Sequence, residues 1–268
     1  MKLEKGQFID KSRKLLKVSG GDAKKFLQGI ITNDIEGSIS SLIYSALLTP
    51  QGKYLFDFFI AGLDEENFLV DINLKKYKEF LDKLNLYKLR SNVSFEEIES
   101  SIILGFGECI KGSFSDPRNK KIGWRKIVFK NLINHSFEEE KAFFKEYEKK
   151  RIDLCIPECG YELKSGDTYI LETGFDEING VSFTKGCFVG QEVTARMRHK
   201  TSLKNGLVRL QSATQELELN SPISNESGKP VGNITSSLHK KGLGTIKFIY
   251  SKGKLFCGET ELKVLHKD

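Results

Sequence analysis

The chain has no uninterrupted run of about 18 apolar residues, so no segment reads as a membrane-spanning helix. Its start, Met1-Lys2-Leu3-Glu4-Lys5-Gly6, lacks the apolar core of a signal peptide. The expected location is cytoplasmic, with no membrane partner. Five cysteines (109, 155, 159, 187 and 257) make an odd set without disulfide-framework spacing, which predicts free thiols. Cys155 and Cys159 form a C-x3-C pair that matches neither zinc-ribbon nor ferredoxin spacing. They are expected to be packed or loop thiols around Pro157, and no metal site is predicted. Charge of one sign does not dominate: 42 basic residues are interspersed with 36 acidic ones. There is no basic arm and no RNA-binding signature with stacking aromatics. Direct tRNA binding therefore rests only on the run Arg196-Met197-Arg198-His199-Lys200. Gly105-Phe106-Gly107 follows an apolar run, but Ile110 stands where a dinucleotide fingerprint needs its third glycine. Internal repeats and low-complexity segments are absent.

What is present is enough sequence, 268 residues, for two domains. Asp22 to Ile30 has the spacing of an amphipathic helix (Ala23, Phe26, Leu27, Ile30), with Asp22 as its N-cap. Residues 43–48 and 54–60 are β-prone runs around Thr49-Pro50-Gln51-Gly52-Lys53, a predicted hairpin. A strand over 68–72, a helix over 74–84 and strands over 93–98 and 101–106 follow. Ser136-Phe137-Glu138-Glu139 reads as a capping box opening a helix to about Arg151, with Phe143, Phe144 and Tyr147 inward. After about Thr201 only short strands are predicted, over 207–210, 231–236, 245–250 and 261–265. The fold class is α+β: a body over 1–200, of two interleaved subdomains, and a small antiparallel β barrel over 201–268.

The chemistry concentrates in Lys185-Gly186-Cys187-Phe188-Val189-Gly190-Gln191-Glu192, running on to Arg196. Gly186 and Gly190 suit turns or close backbone approach. Lys185 and Arg196 supply positive potential that favours a thiolate or draws an anion. Cys187 is the candidate reactive thiol, the alternative being a small buried residue. Gln191 and Glu192 either orient this loop or begin a helix. A cysteine-hydrolase reading has only His199 as a nominal partner. Trp124 reads as a packing element, with a stacking platform as the alternative.

KGCFVGQE followed by an arginine resembles the signature of the YgfZ family. These are folate-binding proteins linked to iron–sulfur cluster assembly and related to the aminomethyltransferase of the glycine cleavage system. The resemblance extends to Phe26-Leu27-Gln28-Gly29, Thr32-Asn33-Asp34, Asp116-Pro117-Arg118, Gly123-Trp124-Arg125, Pro157-Glu158, Leu171-Glu172-Thr173-Gly174 and Pro230-Val231-Gly232. It implies an aminomethyltransferase-like folate-binding module followed by a β barrel. It also implies tetrahydrofolate or a derivative as cofactor, and iron–sulfur enzymes, including tRNA-modifying ones, or cluster-assembly proteins as partners. Cys187 becomes the working thiol, in a loop where Lys185, Gly186, Gly190, Gln191, Glu192 and Arg196 are candidate ligand or tuning residues. Glu172 matches the pterin-binding acid of Leu-Glu-x-Gly, and a carboxylate can accept both donors on a pterin edge. Asp57 lies where the aminomethyltransferases keep a catalytic aspartate. Here Lys53 and Phe56 depart from Gly-Gly-x-x-Asp-Asp, so Asp57 reads as a strand acid or ligand contact as well as a catalytic candidate. One pocket is expected, with Glu172 gripping a pterin and Cys187 at its rim. The alternative is a folate-dependent one-carbon transferase.

Overall fold

A computed structural model describes residues 6–132, 137–200 and 203–265. It contains two open antiparallel sheets, four α-helices and a closed barrel. The larger sheet has the order β3 (Ile43–Leu48), β4 (Tyr54–Gly62), β5 (Asn67–Asn73), β2 (Arg13–Ser19), β6 (Ser94–Ile98). Helices α1 (Ala23–Ile30) and α2 (Tyr77–Lys88) bring Phe26, Leu27, Ile30, Phe80 and Leu84 to one core with sheet residues Phe56, Phe58, Ile60, Val70 and Ile72. The other face carries Tyr44, Ala46, Leu48, Tyr54, Phe59 and Ala61 into a second core with Ile170, Phe175 and Phe188. Strand β3 is thus buried along its whole length, which is why it reads as a continuous apolar run. Period-two alternation along β4 puts Asp57 on the face of Phe59 and Ala61.

The smaller sheet has the order β1 (Gln7–Ile9), β7 (Ser101–Gly105), β9 (Trp124–Val128), β8 (Phe114–Ser115). Trp124 is a packing residue, buried with Ile9 and Ile103. A Cβ at Gly105 would meet its ring at 2.0 Å, so glycine is required there. The barrel runs β10 (Asn205–Ser212), β13 (Lys241–Lys247), β12 (Pro230–Leu238), β11 (Pro222–Asn225), β14 (Leu255–Cys257), β15 (Thr260–Leu265). Its own core holds Leu210, Ile223, Ile234, Ile246, Leu255 and Leu262. Helix α3 (Phe137–Asp153) joins barrel and body through Arg151. That buried guanidinium donates to Glu162 Oε2 at 3.0 Å and to Ser236 Oγ of β12 at 2.5 Å.

Several expectations need correction. Asp22 occupies the N-cap position of α1, but its carboxylate accepts the Asn92 N–H at 2.7 Å instead of capping the helix. The predicted strand 245–250 ends at Lys247, and Phe248–Tyr250 forms a 3-10 turn. The Phe248 ring lies over Gly206, where a Cβ would come within 1.9 Å of it. Phe143 is buried against Phe8 and Phe106, whereas Phe144 is half exposed. Ser136 of the proposed capping box lies outside the described residues.

Candidate functional site

A cavity of about 600 Å³ opens between the two body sheets, α3 and the barrel. Its wall includes Arg13, Asp57, Phe59, Arg118, Arg125, Tyr147, Glu158 and Cys159. Asp57 is buried, and its oxygens accept the hydroxyls of Tyr54 (2.6 Å) and Tyr44 (3.0 Å). Burial and the Asp57 charge push both phenols well above their ordinary range. Around them runs a lattice of charge-assisted bonds. Arg13 Nε meets Asp71 Oδ1 at 2.6 Å, Arg125 Nη2 meets Asp71 Oδ2 at 2.9 Å, and Arg118 grips Asp116 at 2.8 and 3.0 Å. Three arginines against Asp57, Asp71 and Asp116 make the cluster formally neutral, as burial requires. The three guanidiniums surround the Phe59 ring, 4.0 Å (Arg125), 4.9 Å (Arg118) and 5.4 Å (Arg13) from its centroid. Burial and Asp57 push the Cys159 thiol up, with the neighbouring Tyr54 hydroxyl and the Arg13 charge opposing. Desolvation raises the Glu158 carboxyl, with Arg151 and Arg118 opposing.

The KGCFVGQE loop lies elsewhere and is held at three points. Lys185, buried, donates from Nζ to the carbonyls of Gln28 (2.7 Å), Ile31 (2.7 Å) and Asn33 (2.9 Å), where α1 ends. A cation there also complements the helix dipole. Burial pulls its pKa down to about 8, with Asp34 pulling the other way. Phe188 inserts into the second core. Gly190, at φ +84°, packs against the 49–53 hairpin, where a Cβ would meet Thr49 O at 2.6 Å. Only glycine satisfies both demands. Between these anchors Cys187 is exposed, and a Cβ on Gly186 would meet nothing within 4 Å. Helix α4 (Gln191–Lys200) starts directly after Gly190, so Gln191 and Glu192 form a helix N-terminus. Glu192 pairs with Arg196 at 2.5 Å, both side chains mostly exposed.

Glu172 lies in a 3-10 turn and accepts from Asn205 Nδ2 at 3.1 Å. It lines a separate cavity of about 370 Å³ against the barrel, with Lys53, Tyr169, Lys204 and Thr245. Glu172 and Cys187 therefore do not share the expected pocket: Cys187 lines neither cavity, and the larger one brings Asp57 together with Cys159. Lys185 spends its donors on backbone carbonyls and clamps the loop, while Arg196 faces solvent. Among residues not picked out as site candidates, Arg13, Tyr44, Tyr54, Tyr147, Glu158 and Cys159 wall or support the cavity, as do Arg118 and Arg125. The Asp-Pro-Arg and Gly-Trp-Arg landmarks were the available signal for the last two. The Thr32-Asn33-Asp34 motif also finds its role here. Thr32 donates to Gly180 O at 2.7 Å and Asn33 to Asn179 O at 2.7 Å, fastening the segment that leads into the loop.

Residues 8–104 match the model of the GCVT N-terminal domain, and residues 204–268 match that of the CAF17 C-terminal beta-barrel domain. An iron-sulfur cluster assembly factor IBA57 homolog, mitochondrial, of Dictyostelium discoideum is 32% identical over 246 residues, covering 72% of this chain and 59% of that protein. The Mus musculus factor IBA57, mitochondrial, is 28% identical, with 84% and 70% covered. The Neurospora crassa homolog is 30% identical over 70% of this chain, which spans about half of that protein (49%). Among solved structures, the glycine cleavage system aminomethyltransferase T from Bartonella henselae superposes with a TM-score of 0.75 at 14% identity, over 97% of this chain and 84% of that one. The fold is thus α+β, an aminomethyltransferase-like module followed by an antiparallel barrel.

Proposed function

We propose that the protein assists the assembly or maintenance of iron–sulfur enzymes, tRNA-modifying ones among them, and binds a tetrahydrofolate in the Asp57 cavity. The observation that carries this reading is the separation of two sites. An open cleft lined by charged and aromatic side chains suits a small ligand, while an exposed thiol on an anchored loop suits a protein partner or a cluster in transit. The relatives named as cluster assembly factors supply the process. The cavity's donor set fits a folate: Asp57 and Glu158 are acceptors for the pterin edge, and Phe59 with its guanidiniums offers flat faces. A bound tetrahydrofolate would carry one-carbon units. Calorimetric titration tests the placement: Asp57→Asn and Glu158→Gln should each weaken tetrahydrofolate about tenfold or more, as loss of a charged hydrogen-bond partner does. Loss confined to Glu172→Gln would move the ligand to the smaller cavity, and no binding by the intact protein would end the folate reading. Cys187→Ser should lower cluster-enzyme activity in cells.

A second reading, one-carbon transfer, is favoured by the position of Asp57 within the cavity. Turnover of an aminomethyl donor to methylene-tetrahydrofolate, cut sharply by Asp57→Asn, would establish it.

A further inference from the structure

The Asp57 cavity leaves two features of the sequence without a role: Glu172, and Lys53 in place of a glycine. Both line the smaller cavity, about 370 Å³ between the 161–173 segment and the outer face of the barrel. The alternation that sends Ile234 and Ile246 into the barrel core turns Asn233 and Thr245 outward, where they are direct partners across β12 and β13. Lys53 is held on the opposite wall. Its Nζ donates to the Asp167 carbonyl and lies 3.6 Å from the centre of the Tyr169 ring. Lys164 and Lys204 bring two further ammoniums to the same cleft. Of the charged side chains on its wall, the buried Glu162 is engaged by Arg151 at 3.0 Å. Among the described residues, Lys53, Lys164, Lys204, Asp167 and Glu172 have no opposite charge within 4.0 Å. Glu172 accepts from Asn205 through Oε1 and has no protein donor at Oε2. The side chains of Asn233 and Thr245 likewise have no hydrogen-bond partner among the described residues.

We infer that this cleft binds a nucleotide through its phosphate and ribose. Three ammoniums on separate segments suit a phosphate, which lysine meets as a point charge. The open oxygen of Glu172 is an acceptor for a ribose hydroxyl, the role a carboxylate plays in dinucleotide-binding folds. The Asn233 amide and Thr245 hydroxyl can complete the ring's remaining hydrogen bonds. The cleft's volume is that of a single small ligand, so a free nucleotide is the form proposed, not an RNA strand. The inference does not rest on the folate reading, because Lys53, Glu172 and Lys204 do not line the Asp57 cavity.

Calorimetric titration of the intact protein with ADP, 2′-deoxy-ADP and adenosine tests it. ADP should bind at micromolar to millimolar concentration. Its deoxy form should bind about tenfold more weakly, the loss of one hydrogen bond to a carboxylate. Adenosine should bind about five- to tenfold more weakly, the scale of two exposed charge contacts. Glu172→Ala should erase the difference between ADP and 2′-deoxy-ADP. The double variant Lys164→Gln/Lys204→Gln, at two exposed positions, should shrink that between ADP and adenosine. The comparison among ligands in the intact protein stands whether or not a variant folds. Absence of ADP binding, equal binding of ADP and its deoxy form, or discrimination that survives Glu172→Ala would overturn the inference. Displacement of bound ADP by a short oligoribonucleotide would overturn the free-nucleotide form. None of these results touches the folate reading, which is tested at Asp57 and Glu158.

Discussion

Replacing Lys185 by methionine separates a structural clamp from a ligand contact. The ammonium makes three charge-assisted bonds to carbonyls at the end of α1, and the acceptor on Ile31 is in a buried setting. Each such bond contributes about 1.5–3 kcal/mol, and stranding a buried acceptor costs about 1–3 kcal/mol. Burying the ammonium opposes this, as its lowered pKa of about 8 records. Methionine fills the same channel without that cost, and water can reach the half-buried Gln28 and Asn33 carbonyls. The net expected loss is about 2–4 kcal/mol. For a chain of this size that is roughly 5–15 °C in Tm. Thermal and urea unfolding measure it, and tetrahydrofolate titration of the same variant should give the native affinity, because Lys185 does not line the Asp57 cavity. An unchanged Tm together with lost folate affinity would refute the clamp and make Lys185 a ligand residue.

Gly190→Ala should destabilise by about 2 kcal/mol, since alanine at φ +84° is strained and its Cβ would collide with Thr49 O. Urea denaturation measures the loss, and faster alkylation of Cys187 would report the loosened loop. Acid should act through the arginine lattice. Burial alone would raise the Asp71 and Asp116 carboxyls, but Arg13 and Arg125, and Arg118 and Arg125, more than reverse this and hold them below the ordinary value. Their stabilisation is therefore complete above the unfolded-state pKa of about 3.9 and is lost as pH falls through the lower folded values. Unfolding free energy measured from pH 5 downward should fall, and Asp116→Asn should make that fall shallower.

Local pattern made much of the architecture legible. The stripe of α1, the 49–53 hairpin and four of the six barrel strands follow from spacing and turn residues alone, whereas the short strands β11 and β14 do not. Strand β2 was missed because adjacent Leu15 and Leu16, both buried, break the alternation expected of a strand beside lysines. It lies between β5 and β6, where both faces are covered. The site was legible as motifs but not as geometry. Lys185 finds its acceptors more than 150 residues upstream, and Arg13 finds Asp71 58 residues away. No spacing rule announces such pairs. Cys159 was passed over for the same reason: its C-x3-C spacing carries no signal, whereas Asp57 and Tyr54 across the cavity give it a setting. Glu172 and Cys187, close in sequence, diverge because Lys185 ties the loop to the end of α1 and Phe188 ties it to the second core, while Glu172 turns to the barrel.

The native thiols of Cys159 and Cys187 test the separation of sites most directly. Alkylation of each cysteine in the unmodified protein can be followed by mass spectrometry with and without saturating tetrahydrofolate. Protection of Cys159 with no change in the rate at Cys187 is the outcome the two-site account predicts. Protection of Cys187 with Cys159 still freely alkylated would contradict it.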